Sequence, residues 1–171
     1  MQQTPWFERS FDFSGDPQLF PAMLERLEGT PLRLKRKTSR TSRHFLTQKV
    51  NGKWSIQEHV GHLIDLEPLW QGRLEDILKG ETYLRPTDLA NQATDEANHN
   101  ANDLAWLVER FEEVRTETMG SLRSLSEADL LKSALHPRLE IPMRVLDLFL
   151  FVAEHDDHHL AAMTALSARN G

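Results

Sequence analysis

The chain has 171 residues, a net charge of −6, eight histidines and no cysteine. Its 39% hydrophobic and 27% charged residues are ordinary for one folded domain with a buried core. Without cysteine the chain forms no disulfide, carries no thiol nucleophile and builds neither a zinc ribbon nor an iron–sulfur centre. Any metal must therefore be held by histidine and carboxylate.

The longest apolar run, Leu148 to Ala153, is too short to span a bilayer. The start, MQQTPWFERSFDF, lacks the basic and apolar segments of a secretory signal. These features predict a cytoplasmic protein with no membrane partner.

Residues 1–15 carry Trp6, Phe7, Phe11 and Phe13 among polar residues and read as an extended lead-in that packs on the body. Asp16-Pro17 marks a helix start, with an N-cap acceptor followed by a residue that needs no N–H partner. Leu19, Phe20, Met23, Leu24 and Leu27 continue it at helical spacing to about residue 41, with a kink expected at Thr30-Pro31. Arg33, Lys35, Arg36, Lys37, Arg40 and Arg43 crowd its end. No aromatic residue interleaves them and no nucleic-acid motif accompanies them. We read them as cations complementing a helix C-terminus, and expect no nucleic-acid partner.

Ser55-Ile56-Gln57-Glu58 has the form of a capping box. Ile56, Val60, Leu63, Leu66, Trp70, Leu74, Ile77 and Leu78 extend an apolar face to about residue 79, through Pro68, which should kink the helix. Gly61 and Gly72 lie on its less apolar side, where close approach of another backbone, such as that of a dimer partner, would explain them. Residues 80–95 read as a long loop. A third amphipathic helix runs from about residue 96 to 121, and Ser126-Glu127-Ala128-Asp129 caps a short one. After a loop through Pro137, Pro142 opens the last helix, which reaches about residue 168. Four such helices predict an all-α four-helix bundle.

The last helix contains Glu154-His155-Asp156-Asp157-His158-His159. His155 and His159 lie about 40° apart around a helix of 3.6 residues per turn, on the stripe of Leu148, Phe151 and Val152. Two imidazoles one turn apart can share one metal ion, and can equally be hydrogen-bonded core histidines. A third ligand from another helix would decide between these. The second helix offers His59 and His62, and periodicity does not choose His62. His59 falls deeper in the apolar sector, while His62 sits at its edge beside Glu58 and Asp65. His44, His99 and His136 fall in terminal or loop contexts and read as solvated. A di-iron carboxylate site needs two Glu-x-x-His motifs, and only Glu96-x-x-His99 is present. No H-E-x-x-H, P-loop, G-x-S-x-G or G-x-G-x-x-G occurs.

Trp54-Ser55-Ile56-Gln57-Glu58-His59-Val60-Gly61-His62-Leu63-Ile64-Asp65-Leu66-Glu67 resembles the WS-x-x-E-x-x-x-HL-x-D-x-E signature of the DinB-like (DinB/YfiT) superfamily. The segment from Pro142 to Leu160 resembles that superfamily's last-helix H-x-x-x-H motif. The resemblance spans nearly the whole chain and implies one DinB-like domain over residues 1–171, with an up-down-down-up topology. It also implies a homodimer and a divalent metal, nickel or zinc, held by His62, His155 and His159. It thereby selects His62 over His59. Members are described as metal-dependent hydrolases, and some use the metal to activate a low-molecular-weight thiol for transfer.

The reading that follows is a divalent-metal-dependent enzyme of hydrolase type acting on a small molecule. A thiol-dependent transferase and a helical dimer with a structural metal are its alternatives. Glu58, Asp65 and Asp156 are candidates to orient histidines or move protons, although each also reads as ordinary helix charge or capping. Asp65 leads, because it shares the flank of His62.

Overall fold

The computed structural model describes residues 3–168. Its helices, in chain order, are α1 (Phe20–Thr38), α2 (Arg43–Leu46), α3 (Ile56–Lys79), α4 (Gln92–Glu96), α5 (Leu104–Arg123), α6 (Glu127–Leu130) and α7 (Val145–Ala168). Two short strands, β1 (Ser133–Leu135) and β2 (Pro142–Arg144), pair antiparallel. No helix among the described residues is long and apolar enough to cross a membrane.

Local chemistry sets the helix ends. The Ser55 Oγ accepts the Glu58 N–H at 3.1 Å, and the Glu58 carboxylate accepts the Ser55 N–H at 2.8 Å. This capping box starts α3. Gly80, at φ 78°, ends it in the left-handed conformation that glycine adopts without strain. Asp103 opens α5 by accepting the N–H groups of Ala105 and Trp106. Asp16 caps a short 3-10 turn, Pro17–Leu19, that leads into α1.

Several boundaries depart from the periodicity. The first helix ends at Thr38, not residue 41, and a separate short α2 follows. The segment before Leu104 folds as α4 and a 3-10 turn, His99–Ala101, because Asp103 rather than residue 96 supplies the cap for α5. Pro142 does not open the last helix. It lies in β2, opposite Leu135, and α7 begins at Val145.

The four long helices pack in the ring order α1–α5–α3–α7, so α1 and α3 are diagonal. Their directions follow from side-chain pairs. Arg26–Glu154, Thr30–Asp156 and Lys37–Thr164 advance together, so α1 and α7 are parallel. Arg115 with Glu67 and Thr118 with Gln71 advance together, so α3 and α5 are parallel. Tyr83, just beyond α3, bridges Leu135, next to the start of α7, while His62 near the start of α3 meets His155 and His159. α3 and α7 therefore run antiparallel, and the bundle is up-down-down-up.

The apolar core divides into two clusters. One gathers residues such as Leu27, Leu74, Leu122 and Phe149, the other Leu34, Val60, Phe111 and Met163. Each fully buried side chain of this size contributes about 1.5–3 kcal/mol. Between the clusters lies a buried ionic layer. The Arg115 guanidinium, 1% exposed, donates to Glu67 at 2.8 Å and to both oxygens of Asp156 at 2.6 and 3.0 Å. Burial works against the Arg115 charge, but Asp156 and Glu67 outweigh it and hold the pKa above its ordinary value. Arg115 also donates to the Leu27 carbonyl at 3.2 Å. That carbonyl is available because Pro31, four residues on, has no N–H to give it.

Trp6, Phe11 and Phe13 of the lead-in pack against the first cluster, and Arg9 pairs with Glu154. The basic end of α1 is partly neutralised by α7, with Arg33 paired to Asp157 at 2.6 Å.

Candidate metal centre

The floor of the site is one turn of α7 facing the first turns of α3. His62, His155 and His159 are buried, at 3, 4 and 6% exposed, and each offers a ring nitrogen within 4.8 Å of the others. The Nε2 atoms of His62 and His155 lie 3.4 Å apart, and those of His155 and His159 3.0 Å apart. Three nitrogens bound at about 2.0–2.1 Å to one tetrahedral ion lie roughly 3.3 Å from one another. The observed spacings bracket that value, so the donor set fits a divalent metal.

The second ring nitrogens show how the set is prepared. The Thr94 hydroxyl donates to Asp65 Oδ2 at 2.7 Å and lies 3.1 Å from His62 Nδ1. Its one proton is committed to Asp65, so it accepts from His62 Nδ1–H. His62 Nε2 is then left with a free lone pair. His159 Nδ1 meets His59 Nδ1 at 2.8 Å, and with His159 as donor its Nε2 is free as well. His155 Nδ1 is buried without a partner among the described residues. Burial, reinforced by His59, pushes His62 down to about 4. Burial and the surrounding imidazoles hold His155 and His159 well below the usual range. The three rings are therefore neutral at pH 7, as metal ligation requires.

Asp65 also accepts from His99 Nε2 at 2.9 Å. The His99 ring lies over Gly61, where a Cβ would come within 2.1 Å of it. Gly72 is likewise filled by the Arg85 guanidinium, 1.9 Å from a Cβ position. Both glycines therefore admit side chains of this same chain, and not a partner's backbone. His99 and His136, expected in solvent, are 6% and 3% exposed, because the long connections containing them fold back onto α3. His44 is exposed. Burial also reverses the order expected on α3: His62 is buried and His59 only partly so. Trp54 stands over His62 with ring centroids 4.6 Å apart, anchored by its Nε1 donating to Asp95 at 2.7 Å.

The other two carboxylates turn elsewhere. Glu58 is held by the capping box and by Lys49 at 2.8 Å. Asp156 accepts from Arg115 and, at 2.8 Å, from Thr30. Thr94 and His99 escape the sequence reading as site residues because α4 and the 3-10 turn that carry them are too short to show a periodic signal. The only hint was that Glu96-x-x-His99 stood alone.

Above the histidines opens a pocket of about 480 Å³, walled by Trp6, Trp54, Trp70 and Phe151. Residues 17–163 match the DinB superfamily profile. The chain belongs to the DinB superfamily. The three converging histidines, Thr94 and Asp65 all lie inside the matched span, whereas Trp6 precedes it. Among solved structures, the fold is similar to YfiT from Bacillus subtilis, described as a probable metal-dependent hydrolase with an unusual four-helix bundle topology. The two share 24% identity over 96% of this chain and 94% of that one, with a TM-score of 0.83. No curated protein matches the chain. Membership accounts for the helix order, and the chemistry must be argued from the DinB-type site itself.

Proposed function

We propose that this chain is a metal-dependent hydrolase of small amides or esters, with His62, His155 and His159 holding a divalent ion. The observation that carries this is the convergence of three buried Nε2 atoms at the floor of a pocket. An all-imidazole set suits zinc and nickel. When bound, the ion supplies Lewis acidity, lowering the pKa of a water ligand toward about 7 or polarising a substrate carbonyl.

The chain's own residues do the rest. Thr94 and Asp65 fix the proton of His62 on Nδ1 and hold the ring's orientation. His59 does the same for His159. The ligand set is neutral, and among the described residues no carboxylate oxygen bonds to a ligand nitrogen, so the electrophilic character of the centre is not quenched. Trp6, Trp54 and Phe151 exclude bulk water from the reacting group.

The test is metal analysis of untagged protein, followed by hydrolysis assays on ester and amide panels. About one divalent ion per chain is expected, with loss of both metal and turnover in His62→Ala and His155→Ala. Retention of the metal by these variants overturns the reading. Turnover that appears only when a low-molecular-weight thiol is added assigns the pocket to transfer, with the thiol as cosubstrate, since the chain has no cysteine.

A further inference from the structure

The wall of the pocket away from the metal-site histidines carries charge that nothing among the described residues matches. Arg73, on α3, is 1% exposed and lines the pocket. Its Nε donates to the Arg85 carbonyl at 3.1 Å, and its Nη2 is buried without a partner. Its Nη1 faces His136 Nε2 at 3.2 Å. That ring's Nδ1 already receives the backbone N–H groups of Arg138 and Leu139, both at 3.2 Å. A neutral imidazole that accepts at Nδ1 carries its proton on Nε2. The Nη1 therefore meets another donor, and both ends of the Arg73 fork lack an acceptor. Arg138 lines the same wall, and its Nη2 is also buried without a partner.

The nearby carboxylates are already occupied. Asp76 is held by the Arg85 guanidinium at 2.7 Å and the Arg85 N–H at 2.8 Å. Asp88, on the pocket rim, accepts the N–H groups of Ala90 and Gln92. Among the described residues, neither Arg73 nor Arg138 has a carboxylate at ion-pair distance. Burial lowers Arg73 to about 10, with Asp76 opposing it, so it remains charged at neutral pH. A buried cation with unmatched donors is costly unless something brings the acceptor.

We propose that Arg73 and Arg138 form an anion subsite that receives the carboxylate of the substrate, so that the pocket takes small carboxylic acids whose reactive bond lies toward the histidines. This rests on the pocket being the substrate site of the proposed hydrolase. The geometry favours a carboxylate. Trp70 stacks beneath Arg73 at 5.6 Å and Phe7 beneath Arg138 at 5.2 Å, leaving the planar guanidinium edges for a planar partner. Trp70 also touches the other end, its ring 5.6 Å from that of His155. One molecule with an aromatic or apolar body, lying along Trp70, reaches both ends.

The test is calorimetric titration of the chelator-treated full-length chain at pH 7.5 with benzoate and with benzamide, its neutral counterpart. Benzoate is expected to bind at least about tenfold more tightly, and Arg138→Gln to remove that preference by weakening benzoate far more than benzamide. Arg73→Lys, which keeps the charge and loses the fork, is expected to weaken benzoate less than Arg138→Gln does. Equal binding of the two probes, or an unaltered preference in Arg138→Gln, overturns the subsite. Benzoate binding that appears only after metal is added and ignores Arg138→Gln also overturns it, while leaving the metal reading intact. Discrimination by the arginines in a protein that binds no metal supports the subsite and sinks the hydrolase instead. Inorganic phosphate that displaces benzoate at lower concentration than benzoate itself requires overturns the assignment to a carboxylate.

Discussion

Acidification of the metal-free protein should expose how much the fold depends on neutral histidines. His62 and His136 are both buried and both lowered from 6.5 to about 4, each by burial first, then His62 by His59 and His136 by Arg73. Above pH 6.5 folded and unfolded chains hold these rings equally neutral. Below it the unfolded chain takes up protons that the folded chain refuses, so stability falls as pH drops, and the share owed to these two rings levels off near pH 4. Each ring removes about 1.4 kcal/mol per pH unit, or about 2 kcal/mol by pH 5. The two share no neighbouring charge, so their effects add to about 4 kcal/mol, against a typical total of about 5–15 kcal/mol. Carboxylates held low, such as Asp65 and Asp76, titrate below this window. Urea unfolding followed by tryptophan fluorescence at pH 8 and pH 5 measures the loss. With a slope of about 2 kcal/mol per molar, these two rings alone lower the midpoint by about 2 M. His59, His155 and His159, also held low by burial, add to the loss and persist in a His62→Gln/His136→Gln double variant. The midpoint of that variant should therefore fall by about 2 M less than that of the unaltered chain. A midpoint that moves by less than about 0.5 M, or equally in the double variant, refutes the reasoning.

Three further outcomes follow from the packing. Arg115→Met leaves Glu67 and Asp156 buried without their cation and should destabilise the chain by about 3–5 kcal/mol in the same urea assay at pH 8. Thr94→Val removes the acceptor of His62 Nδ1–H, and should weaken metal affinity about 10–100-fold in a competition with a chelating dye while helix content by circular dichroism stays unchanged. Gly61→Ala drives a methyl group into His99 and should cost about 1–3 kcal/mol. Gly29→Ala, with nothing within 4 Å of its Cβ position, should gain up to about 1 kcal/mol, so thermal melts of the pair should move in opposite directions.

The helical skeleton was legible because its signals are local. Ser55 and Glu58 announce the start of α3 within four residues, and the His155/His159 pair lies on one stripe of one helix. Beyond the helix boundaries at Thr38, Asp103 and Pro142, what failed was non-local. Periodicity placed His62 at an edge because it cannot see Trp54 or the connection carrying Thr94 and His99 close over it. The β1–β2 hairpin has three-residue strands, too short to alternate visibly. Arg115 sits on the apolar face with Phe111, Thr118 and Leu122, yet a charged residue in a helix reads as solvent-facing until its partners on other helices are known. Arg73 was hidden in the same way.

The Arg115 layer also bears on how the molecule assembles. Its partners are Leu27 on α1, Glu67 on α3 and Asp156 on α7, while Arg115 itself belongs to α5. With any of the three partner helices undocked, a donor or a carboxylate is left stranded in the interior, so a three-helix intermediate gains apolar contact and loses it again in electrostatic cost. The bundle should therefore close in one cooperative step. Asp156 follows His155 directly, so docking the turn that locks the bundle also delivers the His155 and His159 rings to His62. Ion uptake would then report completed folding, and a chain trapped short of closure would bind no better than a loose peptide.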